Sequence, residues 1–194
     1  MENITLFGDS LFNGYRNGRD TNLITNGLQK ALGSDFHVTN RSQSGATTAD
    51  GLMRLQLIDE DADLVVLEFG TNDSASTWGL PSNLYAQNLQ KMITAIGASR
   101  IILVGPAYPN PKNKTIMQYY TQESLDRYNQ IAQNSALEHN IPFIDLIANF
   151  SKLLQIESYY QTDGQHFSDQ GNKVLINLVA EAIKEKQANK NSRN

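Results

Sequence analysis

The 194-residue chain contains no cysteine, which excludes thiol catalysis, disulfide staples and cysteine-based metal sites at once. It has only three histidines, few for the ligand sets that hydrolytic metal centres use. Sixteen basic residues face 20 acidic ones, for a net charge of −4. No long basic run is present, so nucleic-acid binding has no electrostatic footing. No apolar stretch approaches the length of a membrane span, and the opening "MENITLF" lacks the basic flank and apolar core of a signal peptide. The expectation is a cytoplasmic protein without stable membrane insertion. Internal repeats and domain linkers are also missing. Residues 1–186 read as one domain and 187–194 as a polar tail that frays. With 40% apolar and 19% charged residues, the chain is long enough to bury a core without staples.

What is present is an alternation. Short apolar runs at Ile4–Phe7, Phe36–Asn40, Leu64–Phe69, Ile101–Val104 and Ile141–Asp145 are separated by longer stretches with apolar residues at helical spacing. "LVVLEF" and "RIILVG" are nearly continuous apolar runs, as strands covered on both faces require. A last helix spans roughly Asp169–Lys186, with Val174, Leu178 and Ile183 on its buried face. Ser82 and Ser168 are candidate N-caps. This βαβα pattern predicts a three-layer α/β/α sandwich around a five-stranded parallel sheet of flavodoxin-like order. The Pro/Asn-rich segment 106–120, "PAYPNPKNKTIMQYY", is long for a connection in such a domain.

Ligands of open α/β sheets bind beyond the carboxyl ends of the strands, so the residues just after each strand matter most. The first strand runs into Gly8-Asp9-Ser10-Leu11, the second into "NRSQSGATT" with Gly45, and the third into Gly70-Thr71-Asn72-Asp73. "TDGQHFS", with Asp163 and His166, precedes the last helix. Each stretch has a plain reading as turn chemistry. Together, at one sheet edge, they hold the parts of a nucleophilic site. A serine hydroxyl attacks a carbonyl only when a base takes its proton. Histidine titrates in the useful range and needs an acceptor at its other ring nitrogen to fix the tautomer. An oxyanion needs donors aimed at it; Gly45 allows close approach of backbone N–H, Asn72 offers an amide, and the Ser10 N–H offers a third donor.

These four stretches resemble the sequence blocks of the SGNH hydrolases, the GDSL esterase/lipase family. "GDSL" resembles its nucleophile block, "SQSGATT" its glycine block, "GTND" its asparagine block and "DGQHFS" its Asp-x-x-His block. The similarity runs from about Asn3 to about Lys186 and is closest to small bacterial lipase/acylhydrolases similar to thioesterase/lysophospholipase enzymes. The resemblance implies an ester hydrolase with Ser10 as nucleophile, His166 as general base and acid, and Asp163 as its orienter. It further implies an oxyanion hole from Ser10, Gly45 and Asn72, a small-molecule acyl ester or thioester as substrate, and no cofactor. A sugar or metabolite O-acetylesterase would use the same machinery.

The remaining polar residues read as structural. Asp9 and Asp73 lie in turns, His37 falls in a strand and His139 near a helix end, where a cation suits the dipole. Phe12 and Tyr15 are packing residues behind the first turn. Trp78, Leu80, Tyr108, Met117, Tyr119 and Tyr120 fall in loops near the same edge and are candidate linings of an acyl pocket. Two readings of other classes stay open. Asp9, Asn72, Asp73, Asp163 and His166 are also residue types of a metal-dependent phosphoesterase, and flavodoxin-like sheets bind nucleotides without catalysis. Against the latter, "GDSLFNG" lacks the glycine spacing of dinucleotide and P-loop motifs.

Overall fold

The computed structural model describes residues 1–192. Five strands, β1 (Glu2–Phe7), β2 (Phe36–Asn40), β3 (Leu64–Glu68), β4 (Ile101–Val104) and β5 (Phe143–Ile144), form one sheet. Every pairing is parallel and the order is β2-β1-β3-β4-β5, the flavodoxin-like arrangement that the alternation predicts. Around it lie α1 (Leu23–Leu32), α2 (Thr48–Met53), α3 (Ser82–Ile96), α4 (Gln122–Glu138), α5 (Leu146–Phe150) and α6 (Asp169–Asn191).

The sheet explains its own sequence. Side chains alternate across a strand, so β3 sends Leu64 and Val66 to one face and Val65 and Leu67 to the other. The first face packs with Ile4, Leu6, Ile102 and Val104 against Ile24 and Leu28 of α1 and Leu175, Val179 and Ile183 of α6. The second packs with Ile101 and Leu103 against Leu89, Met92 and Ile93 of α3 and Ala132 and Ala136 of α4. Two covered faces leave no polar side to the central strands, hence the continuous apolar runs.

Several boundaries differ from the sequence reading. The fifth strand is only two residues long, because Pro142 has no N–H to extend the ladder and Asp145 instead caps α5, accepting the Ala148 N–H at 2.8 Å. Ser82 is not a cap: it is the first residue of α3, and the carbonyl of Pro81 receives the Leu84 and Tyr85 N–H groups. Ser168 does cap α6, accepting the Gly171 N–H. That helix runs on to Asn191, past Lys186; residues 193–194 of the expected tail lie outside the described residues. Its buried stripe is Leu175, Val179 and Ile183, spaced by four, with Val174 and Leu178 only partly buried beside it. No helix among the described residues is long and apolar enough to cross a membrane.

Candidate active site

Strand β1 stops at Phe7 because the chain passes too close to β3 to carry a side chain. A Cβ on Gly8 would lie 2.5 Å from the Glu68 carbonyl oxygen and 2.7 Å from Glu68 Oε2. Asp9 then donates its N–H to Glu68 Oε2 at 3.1 Å, and Asp9 Oδ1 accepts the Leu11 N–H at 2.9 Å. The chain thus turns around a buried carboxylate, and the turn closes with the Tyr15 N–H on the Ser10 carbonyl. Ser10, at the head of that turn, has its Oγ 3.0 Å from His166 Nε2.

The histidine comes from the loop before α6. Asp163 Oδ1 accepts the N–H groups of Gln165 and His166, both at 2.9 Å, which folds the loop into one tight turn. The other carboxylate oxygen, Oδ2, faces His166 Nδ1 at 2.8 Å. Ser10, His166 and Asp163 therefore form a continuous hydrogen-bonded line across 156 residues of sequence. Gln161 ties this loop to the first one: its side-chain amide donates to the carbonyls of Tyr15 and Phe167.

The two other blocks arrive at the same rim. Gly45 has φ +78° and sits third in a turn closed by the Ala46 N–H on the Gln43 carbonyl. A side chain there meets no atom within 4 Å, so backbone conformation, not space, favours glycine. The same turn is fastened to the first loop, since Gln43 donates its N–H to the Gly8 carbonyl at 3.0 Å. Asn72 Nδ2 lies 3.0 Å from both Asp9 Oδ2 and the Ala46 carbonyl oxygen, joining the stretches after β1, β2 and β3. Asp73 accepts the N–H and hydroxyl of Thr48 at the start of α2, the turn role expected of it.

The electrostatics behind Ser10 are unusual. Asp9 and Glu68 are both almost inaccessible. Burial pushes the Asp9 carboxyl up to about 6, opposed by the Leu11 N–H. Burial and then the Asp9 charge push Glu68 well above the usual carboxylate range, so this pair retains a proton that separated carboxylates would release. Partial burial also lifts Asp163, but hydrogen bonds from the His166 ring and from the His166 and Gln165 N–H groups outweigh it and hold the carboxyl below its ordinary value. Glu68 is a neighbour of the site that the sequence reading missed; its signal was the single charge inside "LVVLEF".

The proposed pocket residues divide. Trp78 is exposed and its ring contacts that of Tyr119 at a tilt, with ring centroids 5.0 Å apart. Tyr108, Met117 and Tyr119 are partly buried against Ala75, Ile116, Tyr120 and Leu125. Tyr120 itself is fully buried and packs with Ala75, Ile116 and Leu125. Leu80 is tied by its backbone to Asp73 and to the Tyr128 hydroxyl. The 106–120 segment is fastened to the Asp163–His166 loop: Asn110 donates to the Gly164 carbonyl at 2.8 Å, and Asn113 donates to that of Thr162 at 3.1 Å. His37 is exposed on β2, and His139 caps α4 with its ring beside Gln90; neither approaches the site. Asp9, Asp73 and Asp163 each accept from protein donors, and among the described residues no three His, Asp or Glu side chains gather as a metal ion would need.

A hydroxyl, an imidazole and a carboxylate in line at the carboxyl edge of a parallel sheet define a class of α/β hydrolytic site. The sequence model of the GDSL-like Lipase/Acylhydrolase family matches residues 6–174. The chain belongs to that family and is a carboxylic ester hydrolase of the GDSL type. Among curated proteins it is similar to an arylesterase of Vibrio mimicus, 29% identical over 190 residues that cover 94% of this chain and 88% of the relative. It also resembles esterase TesA of Pseudomonas aeruginosa, 39% identical over 89 residues, or 42% of this chain and 43% of that one. Among solved structures, a lipase/acylhydrolase from Enterococcus faecalis superposes with a TM-score of 0.89 at 30% identity, covering 96% of this chain and 97% of the other.

Proposed function

We propose that the protein hydrolyses esters through an acyl-enzyme on Ser10. His166 Nε2 takes the hydroxyl proton as Oγ attacks the ester carbonyl, and Asp163 keeps the opposite ring nitrogen protonated and the ring aligned. The tetrahedral oxyanion is held by the N–H groups of Ser10 and Gly45 and by the Asn72 amide. Asn72 Nδ2 rests on Asp9 Oδ2 and the Ala46 carbonyl, so donation to the oxyanion exchanges one of these bonds. Collapse breaks the carbon–oxygen bond to the alcohol, which leaves with the proton that His166 held. Water, deprotonated by the same imidazole, then adds to the acyl carbonyl and releases the acid, restoring Ser10. The chemistry requires no cofactor. The single observation that carries this reading is the hydrogen-bonded line Ser10 Oγ to His166 Nε2 at 3.0 Å and His166 Nδ1 to Asp163 Oδ2 at 2.8 Å.

The accessible Trp78–Tyr119 pair with Met117 and Tyr108 favours an ester bearing an apolar acyl or aryl group. The names of the Vibrio mimicus and Pseudomonas aeruginosa relatives, an arylesterase and an esterase, agree with that class. A series of p-nitrophenyl esters and acyl thioesters beside a panel of sugar acetates tests both parts. Turnover is expected to improve from acetyl to longer acyl chains and to vanish in Ser10→Ala. Activity confined to acetyl groups overturns the substrate class, and an active Ser10→Ala overturns the mechanism.

A further inference from the structure

The base has a neighbour that the triad does not include. The Tyr15 and His166 rings lie 4.5 Å apart, centroid to centroid, and are tilted by 37° to one another, so the two rings are in direct contact. The contact is fixed from both ends. Tyr15 donates its N–H to the Ser10 carbonyl at 3.1 Å, and its own carbonyl accepts from Gln161 Nε2 at 2.7 Å. Gln161 in turn donates its backbone N–H to the His166 carbonyl at 2.8 Å, and its Oε1 lies 3.4 Å from the Asn17 N–H. Tyr15 is therefore part of a clasp that spans the nucleophile turn and the histidine loop, not merely packing behind the first turn.

We propose that Tyr15 is a positioning residue for the hydrolysis, its ring face keeping the imidazole between Ser10 and Asp163 and favouring the imidazolium that forms when the serine proton is taken. A cation within about 6 Å of an aromatic centroid is attracted by the negative ring face, and the attraction exists only after proton transfer. It therefore acts in the transition state and leaves the resting enzyme almost untouched, which is the condition for raising kcat. The inference rests on the assignment of His166 as base. Other charges also face that ring or stand behind it. Asp163 lies on Nδ1; the Asp9 charge acts on His166, and Glu68 and Asp73 act on Asp9; Arg16, next to Tyr15 in sequence, is paired with Asp169. None of these is altered by changing the Tyr15 ring alone.

The test compares Tyr15→Phe, which keeps the ring, with Tyr15→Leu, which removes it. NMR titration of the His166 ring, distinguished from His37 and His139 through His166→Gln, is read without substrate. Tyr15→Phe is expected to titrate as the unaltered protein does, whereas Tyr15→Leu binds the His166 proton about threefold more weakly. In turnover, Tyr15→Leu moves the acid limb of the pH–rate profile to lower pH and lowers kcat about 3- to 10-fold with KM unchanged. Titration of Tyr15→Leu identical to the unaltered protein, or an equal shift in Tyr15→Phe, overturns the proposal and leaves the hydrolase reading standing. Absence of any esterase activity overturns the hydrolase reading while the titration still reports the ring contact. Should Tyr15→Leu fail to fold, Tyr15→Met supplies the ringless comparison with the same expected and contrary results.

Discussion

The two halves of the site are built by opposite strategies. On the nucleophile side, Asp9 is 1% exposed, Ser10 5% and Asn72 4%, and each is held by bonds to strand ends and neighbouring turns. On the base side, the Asp163 side chain is 43% exposed and that of His166 15%, and both belong to a loop shaped by its own hydrogen bonds and by the Gln161 clasp. The buried half needs its polar groups for stability as much as for chemistry, because an unpaired buried donor or acceptor is costly. In the exposed half water can replace a lost partner. Function and stability are therefore coupled in the first half and separable in the second.

Asp163→Asn probes the separable half. The amide favours the wrong histidine tautomer, and kcat is expected to fall by roughly 10²–10³, short of the ~10⁴ of a fully buried triad acid because solvent still reaches the site. Thermal unfolding should hardly change; a strong destabilisation would erase the contrast between the halves. Asn72→Ala probes the coupled half. Its kcat should drop by about 10² to 10³ as an oxyanion donor is lost. Its stability should also fall by about 1–3 kcal/mol, since Asp9 Oδ2 and the Ala46 carbonyl lose their partner. Full stability with lost activity would show that the network is not a structural element.

Glu68→Gln sharpens the comparison with the smallest effect. Asp9, at about 6, and Glu68, well above its ordinary value, bind protons more tightly in the folded chain than in the unfolded one. The unfolded chain has released both protons by pH 5 or so. Stability from this pair is thus highest near pH 4 and declines as pH rises through 6 and beyond. The amide of Glu68→Gln cannot ionise, yet it donates towards Asp9 as the protonated acid does. Chemical denaturation at pH 5 and pH 8 should show the variant losing less stability over that interval, by something on the order of 1 kcal/mol. An unchanged pH dependence would mean that the pair carries no shared proton.

The sheet, its strand order and the meeting of Ser10, His166 and Asp163 were legible in the sequence, because buried parallel strands leave continuous apolar runs and ligand loops follow strand ends. The strand bearing Pro142 was overestimated because the loss of one N–H shortens a ladder that apolar content alone extends. The Glu68–Asp9 pair and the Tyr15–His166 contact were not legible. Each depends on contacts between residues 59 and 151 positions apart in sequence (68 minus 9 and 166 minus 15); the lone charge in "LVVLEF" marks Glu68 as unusual without naming its partner, and nothing marks Tyr15. Tyr120, a loop aromatic beside the site that reads as pocket lining, is fully buried.

The central claim is that the Ser10 hydroxyl, made nucleophilic by His166, becomes covalently acylated. A phosphonate ester that mimics the tetrahedral intermediate tests it most directly, through intact and peptide mass after incubation with the unaltered protein, Ser10→Ala and His166→Ala. The account predicts one adduct per chain located on Ser10, none in Ser10→Ala and strongly slowed labelling in His166→Ala. An adduct on another residue, or equal labelling rates with and without His166, would contradict it.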